Sequence, residues 1–153
     1  MLITITVCAR DAEYWVKDCL SSLCAQDHRP LQIIAVDDGS NDSTLEQMQS
    51  FLPPQEDDIE LLVLSQERIG LSAGRNRAVN AAAGEWIAIT DIDCRPDPHW
   101  ISKMLSQLPG LDGEDIVALT GRTVFDPGLT RISRLRSKSI EKKYAGRDKS
   151  VSL

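Results

Sequence analysis

The chain has 153 residues, enough for one domain with a real core, and 42% of them are apolar, which excludes disorder as its main state. No run approaches the roughly 20 consecutive apolar residues that a membrane span needs. The net charge of −6 hides a division: residues 1–129 carry 9 basic and 21 acidic side chains, whereas residues 130–153 carry 8 basic and 2 acidic. That acidic body argues against general nucleic-acid binding.

The first residues, MLITITVCAR, lack a basic leader region and read as a strand over 2–8, so the expected compartment is the cytoplasm. Residues 13–24 place Trp15/Val16, Cys19/Leu20 and Leu23/Cys24 at helical spacing, one apolar face of a helix. A second strand over 31–36 ends at Asp37-Asp38-Gly39-Ser40. A helix follows from Ser43, where Ser43-x-x-Glu46 fits a capping box and Leu45, Met48 and Leu52 form a stripe that Pro53 and Pro54 end.

A third strand over 60–65 leads to an alanine-rich helix over 71–83, for which Gly84 is the expected stop. Ala78, Ala81 and Ala82 predict that this helix lies close on a sheet; Gly74 within it calls for a close neighbour, backbone or ligand. A fourth strand over 85–90 ends in Asp91-Ile92-Asp93. A helix over 97–108 with Pro98 in its first turn and a fifth strand over 115–121 come next, then a loosely amphipathic basic segment.

Strands alternating with helices predict an α/β fold, a Rossmann-like and mostly parallel sheet with helices on both faces. The expected division is one α/β domain over 1–128 and a basic helical segment over 129–153. Cys8, Cys19, Cys24 and Cys94 form no C-x-x-C, and His28 and His99 complete no zinc pattern, so buried reduced thiols are expected.

In such sheets ligands bind beyond the carboxyl ends of the strands, and two strands here end in acid pairs. Asp91 and Asp93, two apart in an extended segment, point to one side and can converge on a hard cation. They can equally cap a turn and a helix. Asp37 and Asp38 can accept from a nucleobase N–H or ribose hydroxyls, or simply form a turn. Arg75 and Arg77 stand early in a helix whose N-terminus favours phosphate oxygens, or else are solvated or paired with acids.

Taken in order, TVCARDAE, AVDDGSNDST and GLSAGRNRAVNAAAGEWIAITDIDCRPDPHW resemble the family 2 glycosyltransferases, which have the GT-A fold. The resemblance runs from about residue 3 to about residue 122. It implies a nucleotide-diphosphate sugar donor, a divalent Mn or Mg cofactor, and transfer to a glycan, lipid or small-molecule acceptor. It places Ala9 and Arg10 beside the base, Asp38 with Asp37 in support as the nucleobase contact, and Arg75 near base and phosphates. Asp91 and Asp93 form the D-x-D, with Asp93 ahead of Asp91 as the direct metal ligand. Asp11 stands where Asn is common, Gly74 where Ala is usual, and Ala78 where the helix motif ends in Gly.

The same resemblance calls for a general base, often in an E-D pair, on the acceptor side. Beyond Thr123 the chain carries Asp126, Glu141 and Asp148, none in such a pair, and Glu114-Asp115 comes too early. The catalytic base is therefore unassigned. The alternatives are a non-catalytic domain that binds a nucleotide sugar or a partner chain, and a nucleotidyltransferase. The basic stretch 130–149 reads as a helix packed on the sheet, a peripheral membrane contact at the inner face, or a cover for an acidic neighbour; self-association is a further expectation.

Overall fold

A computed structural model of the chain describes residues 1–54, 58–108, 118–121 and 138. The chain divides into two compact units, Met1–Glu114 and Asp115–Leu153. Most of the second unit, with the basic segment 129–153, lies outside the described residues. So do 115–117 of the expected fifth strand, and 118–121 are not in a strand.

Among the described residues of the first unit, four strands alternate with four helices: β1 (Ile3–Ala9), α1 (Val16–Cys24), β2 (Leu31–Asp38), α2 (Thr44–Ser50), β3 (Ile59–Gln66), α3 (Leu71–Ala81), β4 (Trp86–Asp91) and α4 (Trp100–Leu105). The strands form one parallel sheet in the order β3-β2-β1-β4. Every residue of β1 and β2 is buried, as two central strands covered on both faces require. Their continuous β-branched runs follow from that position. β2 leads away from β1 on one side and β4 pairs on the other, so the strand order reverses between β1 and β4, with Cys8 opposite Asp91.

One face carries Ile3, Ile5 and Val7 of β1 and Leu31, Ile33 and Ala35 of β2. Against them pack Val16, Cys19, Leu20 and Leu23 of α1, Met48 of α2 and Ile101 of α4. Each fully buried aliphatic side chain contributes about 1.5–3 kcal/mol relative to exposure. The other face is thinner: Cys8, Ile34 and Val36 meet Ala78, with Ala81 and Ala82 alongside. The alanines thus bring α3 close, as expected.

Several local expectations are corrected. Trp15 precedes α1 and is 41% exposed, while the buried stripe is Val16, Cys19, Leu20, Leu23 and Cys24. The capping box does not form, because the Ser43 hydroxyl donates to Glu13 Oε2 at 2.6 Å; Asp42 Oδ1 accepts the Thr44 N–H at 3.0 Å instead. Leu52 lies beyond α2 and is 85% exposed; Phe51 turns into the core in its place.

Gly84 is not a left-handed helix stop, since α3 ends at Ala81 and Ala82 is extended. A Cβ on Gly84 would fall 2.5 Å from the Thr4 amide nitrogen, so only glycine lets this loop cross β1. There the Gly84 N–H donates to Thr4 Oγ1 at 2.9 Å and the Ala83 N–H to Gln32 Oε1 at 2.9 Å.

Candidate functional site

The carboxyl ends of β1, β2 and β4 bring the two acid pairs and Arg75 to one end of the sheet. β2 continues through both acids of its pair because Asp37 stands opposite Ser65 and Asp38 opposite Gln66 in the ladder with β3. Both are buried. Asp37 Oδ2 accepts the Ser40 N–H at 3.3 Å, whereas its buried Oδ1 has no partner among the described residues.

Asp38 is committed to its own chain. Its Oδ1 accepts from Gln66 Nε2 at 2.7 Å, the Ile69 N–H at 2.9 Å and the Gly70 N–H at 3.1 Å; Oδ2 lies 3.0 Å from the same Gly70 nitrogen. The Gln66 amide first, then these two backbone donors, hold its carboxyl below the usual carboxylate range. It therefore shapes the loop that delivers α3. Gly39 turns with φ +67°, and a Cβ there would meet the Arg68 nitrogen at 2.7 Å, so the D-D-G-S glycine answers to this loop too.

At the end of β1, Ala9 is buried and Arg10 half-buried, its Nε 3.5 Å from Asp11 Oδ2. Asp11 adopts φ +47°, a region that Asp and Asn tolerate best among residues with a Cβ. The Asp11 N–H donates to Ser40 Oγ at 3.0 Å, and Asp11 Oδ1 accepts the Asn41 N–H at 2.7 Å. The loops after β1 and β2 are thereby locked together. Asp11 meets the conformational demand that the more usual Asn would meet.

Arg75 stands in the second turn of α3, and its Nη2 lies 2.8 Å from Asp91 Oδ1. Gly74 is explained by the sheet, since a Cβ there would sit 3.3 Å from Cys8 Sγ. Burial pushes the Cys8 thiol up, and the charges of Arg75, Asp38 and Asp91 all act on it. Cys8 stands opposite Asp91, the partner of Arg75, at the point where the strand order reverses.

The D-x-D geometry differs from the extended segment expected. β4 ends at Asp91 and the chain turns at once, the Cys94 N–H donating to Asp91 O at 3.0 Å. Ile92 packs toward the core, and Asp91 and Asp93 on either side of it in sequence are both exposed. Cys19 Sγ approaches Asp91 O at 3.8 Å, and burial pushes that thiol up to about 12. Cys8, Cys19 and Cys24 are buried and Cys94 is partly so. Among the described residues no three His, Cys, Asp or Glu side chains cluster as metal ligands.

Gln66 and Arg68 escape sequence reasoning, as does the place of Cys8 beneath Gly74. Their positions depend on strand register and on the approach of the β3–α3 loop to Gly39, neither of which leaves a local pattern.

The model of glycosyl transferase family 2 matches residues 4–151. Glycosyltransferase GlyA of Streptococcus pneumoniae is 34% identical over 60% of this chain and 13% of its own length. S. aureus TarS, solved in complex with UDP-GlcNAc, superposes with a TM-score of 0.62 at 19% identity, over 82% of this chain and 38% of that one. The mannosyltransferase PcManGT of Pyrobaculum calidifontis, solved with GDP-Man and Mn²⁺, gives 0.63 at 24% identity, over 69% and 32%. These likenesses bear out the α/β, GT-A architecture. The chain spans less than half the length of each.

Proposed function

The chain belongs to glycosyl transferase family 2, and from that premise we propose that it binds a nucleotide-diphosphate sugar and transfers the sugar to a glycan, lipid or small-molecule acceptor. The observation that carries this reading is the meeting of Arg75 and Asp91, 2.8 Å apart, at the carboxyl end of β4 where the strand order reverses. TarS with UDP-GlcNAc and PcManGT with GDP-Man and Mn²⁺ support it by likeness of fold.

In this reading the base lies against Ala9, Arg10 and the two strand-end acids. Asp37 Oδ1, buried and without a partner among the described residues, is the stronger acceptor for a base N–H, because desolvation makes an unmet acceptor costly. Asp38 supports it by fixing the 66–70 loop and keeps room on Oδ2 for a further donor. Arg75 turns its guanidinium to the diphosphate.

The donor set fits a hard divalent cation, Mn or Mg. Two exposed carboxylates on one turn, with no imidazole or third acid clustered with them among the described residues, leave most of a coordination sphere to phosphate oxygens and water. Asp93, with Asp91, would hold it. Such a cation, when bound, neutralises charge on the leaving nucleoside diphosphate. The chain's own part is to fix the turn, screen the diphosphate with Arg75, and shape the base pocket from the β1 and β2 loops.

The described residues supply the donor side. Asp126, Glu141 and Asp148 lie outside them; because none of the three stands in an E-D pair in the sequence, donor binding without transfer is the second reading. No helix among the described residues is long and apolar enough to cross a membrane. Peripheral contact through 130–149 would suit a lipid-linked acceptor at the cytoplasmic face. Isothermal titration with UDP, GDP and dTDP in the presence of Mn²⁺ tests the proposal; absence of heat with all three would refute it.

A further inference from the structure

Residues 92–99 leave the sheet after Asp91 and carry the D-x-D turn, yet they contain no regular structure before α4. Among the described residues, the Asp93 carboxylate meets only its neighbour's thiol, with Cys94 Sγ at 3.7 Å. What steadies this segment comes from α1 and the residues that flank it. Cys19 Sγ reaches Asp91 O at 3.8 Å. Two residues beyond Asp93, the Arg95 guanidinium donates to Asp18 Oδ2 from Nη2 at 2.7 Å and from Nε at 3.3 Å. The same guanidinium lies 5.5 Å from the centre of the Trp15 ring. Further along, Gln26 Nε2 donates to Asp97 O at 2.9 Å and the Asp27 N–H to Pro98 O at 2.9 Å.

Trp15, Asp18 and Cys19 are spaced three and four apart, so they share one side of the helix start. Asp18 and Arg95 are about half exposed and belong neither to the core nor to the acid pairs. An isolated surface ion pair contributes little. Here the arginine also stacks on an aromatic face, and its planar fork is directed by both contacts.

We infer that Arg95 is a positioning residue for the D-x-D: clamped between Trp15 and Asp18, it holds the Asp91–Cys94 turn in the geometry that presents Asp93 to a cation. This rests on the donor-binding reading above. The clamp acts through Asp93 and touches neither metal nor nucleotide itself.

The test compares the full chain with Arg95→Ala, Asp18→Ala, the double variant and Arg95→Lys. One readout is hydrogen exchange at the Cys94 amide, whose bond to Asp91 O reports the turn without any ligand. The other is the affinity for Mn²⁺ in the presence of UDP and, separately, GDP, read from free Mn²⁺ by electron paramagnetic resonance. Each alanine variant is expected to speed exchange and weaken Mn²⁺ binding by about three- to tenfold. The double variant should be no worse than Arg95→Ala, and Arg95→Lys should recover part of both effects. Unchanged exchange at Cys94 overturns the clamp. Faster exchange with unchanged Mn²⁺ affinity overturns its positioning role. A wild-type chain that binds neither Mn²⁺–nucleotide overturns the donor-binding reading and this inference with it, whereas wild-type binding matched by all variants overturns this inference alone.

Discussion

Arg75 Nη2 and Asp91 Oδ1 stand 2.8 Å apart, tying the second turn of α3 to the last residue of β4. Each group already has a partner before any ligand arrives. A diphosphate offers Arg75 a stronger anion, and a cation offers Asp91 a stronger positive charge, so the two ligands relieve each other's cost. Arg75→Ala should let Mn²⁺ alone bind about two- to fivefold more tightly, the scale of an exposed ion pair. The same change should weaken nucleotide binding about tenfold. Titration of each ligand with and without the other checks the opposite signs.

The two glycines on the α3 face should respond unequally to alanine. At Gly84 the new Cβ would lie 2.5 Å from backbone nitrogen, so Gly84→Ala should cost about 3 kcal/mol. At Gly74 the neighbour is Cys8 Sγ at 3.3 Å, and the gain of about 1 kcal/mol in helix propensity offsets the crowding. Gly74→Ala should therefore change stability by under about 1 kcal/mol, and Cys8→Ala should remove the crowding. Urea denaturation measures both.

The cap of α2 offers a third comparison. Asp42 accepts the Thr44 N–H, and Glu46 makes no capping bond. Asp42→Ala should cost about 1 kcal/mol and Glu46→Ala less than half of that, again by denaturant midpoint.

Acid should weaken the first unit. The Gln66, Ile69 and Gly70 donors hold Asp38 below its ordinary value of 3.8, and the His99 and then Ser102 side chains do the same to Asp27. A carboxyl whose folded pKa is depressed contributes stability above its unfolded pKa and loses it as pH falls through the folded pKa. Thermal midpoints should be level above about pH 5 and fall below about pH 4. Asp38→Asn should lower the neutral-pH midpoint and flatten the acid limb.

Much of this arrangement is legible in the residues. The β-branched runs give the four strands to within a residue or two, and Ala78, Ala81 and Ala82 give the close packing of α3. β2 outruns its expected end because its acids pair with β3 in the ladder, which no periodicity encodes. The capping box fails because Glu13, some 30 residues away, takes the Ser43 hydroxyl. Likewise Gly84 answers to Thr4 across the sheet instead of to its own helix. At the candidate site, D-D-G-S and D-x-D do fall at strand ends, but the different hydrogen bonding of Asp37 and Asp38 depends on the 66–70 loop. The turn at Asp91–Cys94 replaces the extended geometry assumed for the two acids because Ile92 turns inward to the core.

The central claim is that Asp91 and Asp93 join a cation to a nucleoside diphosphate beside Arg75. Calorimetric titration of the full chain with UDP, GDP and dTDP, with and without Mn²⁺, in the wild type and in Asp93→Asn, tests it most directly. At least one nucleotide should bind about tenfold or more tightly with Mn²⁺, and Asp93→Asn should abolish that enhancement while leaving weak metal-independent binding. Binding of none of the three, or an Mn²⁺ enhancement that survives in Asp93→Asn, would contradict the account.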